Sequence, residues 1–228
     1  MASVKEKTTI KEFQNFVQEV YGVPNDRYFS LWDMITNMER FMMRGLKGIR
    51  KKDREKTKLN LIIAFSWFMS IMNQLHIDVE EELWKRFPYL CSYCGCLPCA
   101  CKEKKIKKRQ KIFINKKKRP RTLDEFQKMF DKIYPAGKRN LEHAGVHLVE
   151  EAGEFSEAIL TYRGGHGDED FKKIELETAD LLSCIMGVFN SLDSNIAKEL
   201  SVMFSNNCHV CKSVPCKCNF KDITGFKS

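Results

Sequence analysis

Two clusters of four cysteines constrain this chain more than any other feature of its sequence. Both have the spacing CxxC, four residues, CxC, and they lie 117 residues apart in a chain of 228. Four thiolates within 11 residues can complete a tetrahedral zinc site, which leaves no open position for a substrate. The spacing therefore predicts two structural zinc ions, with zinc favoured over an iron–sulfur cluster. The predicted ligands are Cys91, Cys94, Cys99 and Cys101 in the first cluster and Cys208, Cys211, Cys216 and Cys218 in the second.

The two remaining cysteines do not belong to the repeated pattern. Cys96 lies inside the first cluster and is either free or an alternative ligand, and Cys184 has the spacing of a core residue. If the clusters held no metal, many exposed thiols would be open to oxidation. Tight clusters also differ from the spacing of a secreted disulfide scaffold, so we expect a reducing, cytoplasmic compartment.

The cysteine clusters are part of a longer internal repeat. TIKEFQ at 9–14 resembles TLDEFQ at 122–127, and MNQL at 72–75 resembles FNSL at 189–192. The repeat predicts two homologous helical bundles, each ending in a four-cysteine zinc segment. The predicted domains are 1–101 and 122–228, joined by a linker at 102–121.

Apolar residues recur with helical spacing throughout, and strand-like alternation is absent. We therefore predict an all-α fold, with long helices at about 28–46, 58–75, 140–162 and 171–192 and a shorter helix before each cysteine cluster. Gly164, Gly165 and Gly167 should interrupt the helices of the second half. The longest apolar stretch, 61–72, is too short to span a bilayer, so no membrane contact is expected.

The positive charge of the chain is concentrated in the linker. Residues 102–121 contain 12 basic residues and one acidic residue, whereas residues 122–228 carry 12 basic and 17 acidic residues. Such a run is typical of a solvated connector. It could also bind nucleic acid or serve as a nuclear address.

Two pairs of acidic residues suggest a second kind of metal site. Glu151 and Glu154 are three residues apart, as are Glu177 and Asp180, so each pair lies on one face of a helix. If the two helices cross, four carboxylates meet in a pocket that suits Mg²⁺ or Mn²⁺. The alternative is that both pairs are solvated helix faces. Asp180 argues against this, because its apolar helix requires a cation or hydrogen-bond donors beside the carboxylate.

The acidic pattern resembles a known family. ExxE followed about twenty residues later by ExxD, within HLVEEAGEFSEAI at 147–159 and ELETADLLSCIMGVFNSL at 175–192, is similar to MazG-like all-α nucleoside triphosphate pyrophosphohydrolases. The resemblance covers about 122–207. It implies a Mg²⁺ site at Glu151, Glu154, Glu177 and Asp180, and a further acidic residue, Glu150, that could act as general base.

The resemblance also implies the reaction and the residues that contact substrate. Water would attack the α-phosphorus of a nucleoside triphosphate and release the monophosphate and pyrophosphate. By the same resemblance, Asn190 and either Asn206 or Asn207 would correspond to nucleotide-contacting positions, with Asn207 preferred. Independently of the family, Arg163, Lys172 and Lys173 lie near the glycine-rich break, where they could contact phosphate.

The first half lacks the acidic residues of the second. In the repeat alignment the four carboxylates fall opposite Asn37, Arg40, Asn60 and Ile63. We therefore expect the first half to bind no Mg²⁺ in this way. Because MazG-like proteins commonly assemble as dimers or larger oligomers, the fused halves are predicted to form an intramolecular pseudo-dimer, which could associate further.

Two functions remain open at this point. The first is a Mg²⁺-dependent nucleoside triphosphate pyrophosphohydrolase. The second is a non-enzymatic, zinc-stabilised helical scaffold that binds nucleic acid or protein through its basic linker. His143 and His147 do not decide between them, because they lack the HExxH order of a zinc peptidase.

Overall fold

The structure is a computed structural model that describes residues 3–138, 140–219 and 221–222. All regular secondary structure within these residues is helical, which confirms the predicted all-α class. There are nine α-helices in the described part of the chain, together with 3₁₀ turns at Lys116–Lys118 and Ala136–Lys138. The α-helices are α1 (Ile10–Tyr28), α2 (Leu31–Arg50), α3 (Arg54–Gln74), α4 (Val79–Arg86), α5 (Cys101–Lys104), α6 (Leu123–Ile133), α7 (Leu141–Gly165), α8 (Asp168–Ser191) and α9 (Ile196–Met203).

The similar sequences TIKEFQ and TLDEFQ are helix start signals. Thr9 accepts a hydrogen bond from the Glu12 N–H (2.9 Å), and the Glu12 carboxylate accepts one from the Thr9 N–H (2.8 Å). Thr122 accepts in the same way from the Glu125 N–H (3.2 Å). Such caps satisfy backbone donors that have no partner within the helix. Both helices therefore begin at the same point of the repeated motif.

The chain divides into two compact units. Unit 1 is formed from the described residues of Met1–Asp78 and Asn195–Ser228, and unit 2 from those of Val79–Ser194. The units differ from the segments 1–101 and 122–228 that the repeat suggested. Helix α4 and the first Cys segment (residues 91–101) belong to unit 2, whereas α9 and the second Cys segment (residues 208–218) belong to unit 1.

Unit 1 is built on the pair α2 and α3, with α1 and α9 packed on α3. The α2–α3 contact is close because Gly48 has no side chain. A Cβ atom there would lie 2.5 Å from Thr57 Oγ1 and 2.9 Å from Thr57 N. Aromatic rings fill the core, with Phe13 5.1 Å from Phe65 between ring centroids.

Unit 2 is built on the pair α7 and α8, with α4 and α6 packed on α8. Helix α7 continues through the first two glycines of the predicted break and ends at His166, which has a left-handed φ of 54°. Gly167 then precedes α8. The short connection places the helix that carries Glu151 beside the helix that carries Asp180.

The first Cys segment packs on α6. The Cys99 N–H donates to the Ile133 carbonyl (2.8 Å), and the Tyr134 hydroxyl lies 3.5 Å from Cys91 Sγ. Phe87, just before the segment, contacts Phe130 of α6 with ring centroids 5.1 Å apart. These contacts explain why α4 and the first Cys segment belong to unit 2.

The second Cys segment packs on α1 in a matching way. The Cys216 N–H donates to the Val20 carbonyl (2.7 Å), and the Tyr21 hydroxyl lies 3.2 Å from His209 Nδ1. Phe204, just before the segment, contacts Phe13 with ring centroids 5.8 Å apart. Each Cys segment therefore packs on the opening helix of the other half of the sequence, an arrangement that we call segment exchange.

The basic linker is part of unit 2 and is largely exposed, but it contacts the rest of the unit near its middle and near its C-terminal end. The Gln110 N–H donates to the Tyr93 carbonyl (2.8 Å). Arg119 forms ion pairs with Glu80 (3.3 Å) and Glu81 (2.6 Å) of α4. Among the residues that the structure describes, we find no helix whose length and apolar character would let it cross a membrane.

Candidate metal centres

Helices α7 and α8 bring three of the four predicted Mg²⁺ ligands together. One carboxylate oxygen from each of Glu151, Glu177 and Asp180 lies within 4.8 Å of the others. Both helices turn apolar residues, such as Ala152 and Ala179, into the core next to these carboxylates. The three side chains are half-buried, so the cluster lies at the edge of the core.

The other two predicted acidic residues lie nearer to solvent. Glu154 is exposed and is not part of the close cluster, although its charge acts on both Glu151 and Glu177. Glu150 is also exposed. Successive helical residues differ by about 100° around the axis, which turns Glu150 away from the direction of Glu151.

Arg86 is the main cation at this cluster, and the sequence offered no signal for it. This last residue of α4 donates from Nε to Asp180 Oδ1 (3.0 Å), and its Nη2 contacts Asp180 Oδ2. Both side chains are largely buried, with 12% and 17% of their surfaces exposed. The carboxylate that the sequence showed to need a cation therefore has a guanidinium group beside it.

The crowding of negative charge changes the protonation of the cluster. Burial, together with the charges of Asp180, Glu154 and Glu177, raises the pKa of Glu151 to about 7. Burial and the same kind of repulsion also raise the pKa of Glu177, while Arg86 and Lys173 act in the opposite direction. A divalent cation would relieve this repulsion, because it favours the charged form of every carboxylate around it.

A histidine and a cysteine extend the cluster on one side. His147 Nδ1 lies 3.6 Å from Glu151 Oε1 and 3.1 Å from Cys184 Sγ. The sequence contained the signal for both, because His147 precedes Glu151 by one helical turn and Cys184 follows Asp180 by one turn. Neither had been assigned to a metal site from sequence.

The predicted phosphate-contacting cations lie along the exposed side of the helix pair. Arg163, Lys172 and Lys173 are all exposed. Lys173 lies one turn before Glu177 and lowers its pKa. Arg163 lies 12 residues after Glu151, a distance of about 18 Å along a helix at 1.5 Å per residue.

The two predicted asparagines have structural partners. Asn190 accepts a hydrogen bond from the Gln127 side chain (2.8 Å) and donates to the Gln127 carbonyl (3.1 Å), which fixes α8 to α6. Asn207 belongs to unit 1, where its side chain donates to the Lys212 carbonyl (3.1 Å) at the second Cys segment.

Both cysteine clusters have the geometry of tetrahedral sulfur sites. In each cluster the four predicted sulfur atoms lie within 4.8 Å of one another. Cys91 and Cys101 are 3.7 Å apart, as are Cys208 and Cys218, and Cys211 is 3.8 Å from Cys216. Four Zn–S bonds of about 2.3 Å place the sulfur atoms about 3.8 Å apart, so these clusters could hold structural zinc.

The thiols of each cluster differ in acidity. The hydrogen bond from the Cys216 thiol, acting against burial, lowers the pKa of Cys208 to about 4. The same hydrogen bond raises the pKa of Cys216. Burial opposes ionisation of Cys94, but the N–H groups of Ala100 and Cys96 outweigh it and lower the pKa of Cys94 to about 6. Burial also opposes ionisation of Cys211, but the N–H groups of Lys217 and Ser213 outweigh it and lower the pKa of Cys211, so the second cluster has two thiols that ionise readily. A metal would have to displace the proton of any thiol that is still protonated, such as Cys216.

Cys96 lies outside the four-sulfur set of its cluster. Its sulfur contacts the Cys94 carbonyl (3.5 Å) and the Lys104 ammonium (3.6 Å). His209, inside the second cluster, is next to the Tyr21 hydroxyl and is also outside the sulfur set. The repeated four-residue pattern therefore coincides with the spatial clusters.

The corresponding positions of the first half show no acidic cluster. Asn37 and Asn60 donate to carbonyl groups of their own helices, at 2.8 and 2.6 Å. Arg40 lies over the Phe41 ring, with its guanidinium carbon 4.8 Å from the centroid, and Ile63 is buried.

No protein-family model, curated protein or solved structure matches this chain.

Proposed function

We propose that unit 2 is a Mg²⁺-dependent hydrolase of nucleoside triphosphates or related nucleotides, which releases the monophosphate and pyrophosphate. The observation that carries the proposal is the meeting of Glu151, Glu177 and Asp180 at the edge of the helix pair. An all-oxygen donor set with raised carboxylate pKa values suits a hard divalent cation. Such an ion would bind phosphate oxygens and offset the charge that develops as the anhydride breaks.

The residues of the chain have separate roles in this proposal. Glu154 completes the set after a change of side-chain rotamer, and Glu150 is the candidate base for the attacking water. Arg86 holds Asp180 in position and limits the repulsion before the metal binds. Lys173, Lys172 and Arg163 offer exposed positive charge for the phosphate chain, while Asn190 would contact a nucleotide only after leaving Gln127.

A nucleotide hydrolysis panel with the full chain tests the proposal. We expect turnover that requires Mg²⁺ or Mn²⁺, and hydrolysis in ¹⁸O-labelled water should place the label in the monophosphate if the α-phosphorus is attacked. Glu177→Gln should abolish turnover because it removes one charge from the donor set. Glu157→Gln, the same change at an exposed position of α7, should retain turnover. Absence of turnover with every nucleotide, or an active Glu177→Gln protein at limiting Mg²⁺, would contradict the proposal.

The repeat supports a non-catalytic role for the first half. We infer that the chain is a fused duplication whose first copy kept the helices and lost the carboxylates. The matching contacts of the two Cys segments support this inference, because the Cys91 and Cys208 N–H groups also donate to equivalent carbonyls, those of Cys96 and Ser213. The first copy would then act as an internal partner.

A second candidate function is binding of single-stranded nucleic acid by the linker. Its basic side chains are mostly exposed, and Phe113 has 78% of its surface exposed with the Lys111 ammonium 5.7 Å from the ring centroid. An exposed ring among cations can stack on a base. We expect binding of single strands that weakens with added salt and that weakens further in Phe113→Ala. Because Phe113 is exposed, this substitution should leave the packing of Phe13 and the other buried rings unchanged. Binding that is independent of salt would exclude this function.

A further inference from the structure

The acidic cluster of unit 2 adjoins a second group of ligand-forming atoms with different chemistry. One atom each of His147, Glu151 and Cys184 lies within 4.8 Å of the others. The three residues come from both helices of the pair, because His147 and Glu151 are one turn apart on α7 and Cys184 lies on α8. They supply a nitrogen, an oxygen and a sulfur, in contrast to the oxygen atoms of Glu177 and Asp180.

Two of the three separations in this group are close to the edges of a metal tetrahedron. Bonds of about 2.3 Å to sulfur and about 2.0–2.2 Å to nitrogen and oxygen place tetrahedral ligands about 3.4–3.6 Å apart. The observed separations are 3.1 Å between Cys184 Sγ and His147 Nδ1 and 3.6 Å between His147 Nδ1 and Glu151 Oε1. The third separation, between Cys184 Sγ and a Glu151 carboxylate oxygen, is within 4.8 Å, so rotation of the side chains would bring all three atoms to one ion.

The environment of the group allows an ion to enter and leaves one direction open. Cys184 is buried, whereas the His147 side chain is 44% exposed and the Glu151 side chain 17%. Solvent therefore reaches the group from the imidazole side. Three protein ligands with one open position are typical of a catalytic rather than a structural zinc site.

We propose that His147, Glu151 and Cys184 bind a third transition-metal ion of the zinc class, next to the Mg²⁺ site and sharing Glu151 with it. The mixed donor set favours a borderline-soft ion, while the all-oxygen set favours a hard one. The two oxygens of Glu151 allow it to bridge both ions, as carboxylates do in two-metal sites whose ions lie about 3.5–4 Å apart. The bridging role rests on the proposed function, whereas the binding of zinc by these three residues does not.

Zinc content of the full-length protein tests the site. After dialysis against micromolar free zinc, we expect about three zinc ions per chain, two in the four-thiolate clusters and one at this site. Cys184→Ala and His147→Gln should each hold about two, because a two-ligand site retains zinc poorly. Cys96→Ser is the matched control and should hold about three, since Cys96 belongs to neither a four-sulfur set nor this site. His147→Gln guards against misfolding, because the histidine is half-exposed.

Cobalt provides a second readout of the same site. Co²⁺ added to protein whose four-thiolate clusters already hold zinc should produce a thiolate-to-cobalt charge-transfer band. The band should be absent in Cys184→Ala and present in Cys96→Ser. Two zinc ions per chain and no band in the unaltered protein would overturn the proposal. A third zinc ion retained in both Cys184→Ala and His147→Gln would overturn it equally.

The result can be separated from that of the hydrolysis panel. Glu177 belongs only to the oxygen set, so Glu177→Gln should lose turnover and keep the third zinc ion. Third-ion binding without any nucleotide turnover would leave this site standing and remove the proposed function. Mg²⁺-dependent turnover in a protein that holds only two zinc ions would support the proposed function and remove the third metal site.

Discussion

At the scale of single residues, Arg86 supplies the positive charge that stabilises the acidic cluster when no metal is bound. The sequence predicts that Asp180 needs a cation or hydrogen-bond donors, since it lies on a mostly apolar helix. It cannot show that the partner comes from α4, which ends 94 residues earlier. A guanidinium group that binds both oxygens of a carboxylate leaves fewer lone pairs for a metal. Arg86 and a metal ion therefore compete for part of the same carboxylate.

Removal of Arg86 should make stability more dependent on Mg²⁺. In magnesium-free buffer we expect Arg86→Gln to lose about 2 kcal/mol of unfolding free energy, less than a fully buried pair because both side chains are partly exposed. Added Mg²⁺ should stabilise the variant more than the unaltered protein, as measured by urea unfolding. Arg119 also pairs with α4, but its side chain is more exposed, at 29%. Arg119→Gln should therefore cost less than about 1 kcal/mol and leave the Mg²⁺ response unchanged. Equal Mg²⁺ responses of Arg86→Gln and the unaltered protein would argue against competition.

Glu151 should make the metal-free protein less stable as pH rises. Its pKa is about 7 in the folded protein and 4.5 for an ordinary glutamate, so between these values the folded state holds a proton that the unfolded state has released. The stability that this group contributes is complete below pH 4.5 and is lost as pH rises through 7. The loss is at most about 3 kcal/mol, and partial solvent exposure reduces it.

Unfolding of Glu151→Gln across pH measures this effect. The variant should gain stability relative to the unaltered protein as pH increases from 5 to 7.5, in magnesium-free buffer. Glu157→Gln should follow the unaltered protein at every pH. If both variants give the same pH profile, the carboxylate of Glu151 is not destabilised by its neighbours.

At the scale of secondary structure elements, the two Cys segments pack on the first helix of each half of the sequence, α1 and α6. Each segment has little apolar core of its own and is held by one backbone hydrogen bond to the helix, by an aromatic contact just before the segment and by its four thiols. A closely spaced zinc site stabilises such a segment directly, because the free energy of metal binding becomes free energy of folding. Metal in the clusters should therefore strengthen contacts several residues away from the sulfur atoms.

Removal of zinc should release the Cys segments before the rest of the protein. With a strong chelator, we expect hydrogen exchange at the Cys99 and Cys216 amides to accelerate by about tenfold or more, while amides in the centre of α3 and α8 change little. Cys208→Ser should affect residues 208–218 alone and leave Mg²⁺ binding in unit 2 intact. If hydrogen exchange in Cys208→Ser accelerates equally in both segments, or in neither, zinc does not stabilise each segment independently.

The elements were largely predictable from sequence, and the site only in part. Helical periodicity without strand-like alternation predicted the all-α class. The three-residue spacing within Glu151/Glu154 and within Glu177/Asp180 predicted four neighbouring carboxylates, of which Glu151, Glu177 and Asp180 form the close cluster. The contribution of Arg86 was not predictable, because a lone arginine at a helix end has no local signature. Cys184 and His147 had a local signal in their one-turn spacing from acidic residues. That signal has meaning only when α7 and α8 are known to lie side by side.

At the scale of the whole molecule, the two compact units do not coincide with the two halves of the sequence. The repeat suggests a cut near the linker, but segment exchange gives unit 2 a Cys segment from the first half and unit 1 a Cys segment from the second. The similarity of the two Cys segments does not show which helix, α1 or α6, each of them packs against. Phe87 and Phe204 occupy equivalent places before the two Cys segments, and nothing in their neighbours specifies the partner helix.

Segment exchange predicts which fragment folds alone. Residues 79–194 contain all of unit 2 and should give a monomer with cooperative thermal unfolding. Residues 122–228 lack α4 and the first Cys segment and carry α9 without its partner, so they should self-associate through exposed apolar surface. Light scattering and circular dichroism measure both properties.

Mixing residues 1–101 with residues 122–228 should restore a soluble complex, since together they supply both exchanged segments. A stable monomer of residues 122–228 that unfolds as cooperatively as residues 79–194 would show that the exchanged contacts contribute little. The mixture lacks the linker, whereas fragment 79–194 and the full chain both contain it. Comparison with these two proteins therefore shows whether the linker itself affects solubility.

Segment exchange also sets the order in which the two units can be completed during synthesis. Unit 2 is continuous in sequence, so every residue it needs has been translated once Ser194 is added. Unit 1 is discontinuous, and the ribosome adds the 116 residues of Val79–Ser194 between its two parts. At about 5–20 residues per second, synthesis of this insertion alone takes roughly 6–23 s, and only then are α9, Phe204 and the second Cys segment added to unit 1. During this interval the nascent chain exposes the apolar surface around Phe13 to solvent, so a chaperone that binds exposed apolar segments would bind it at this stage.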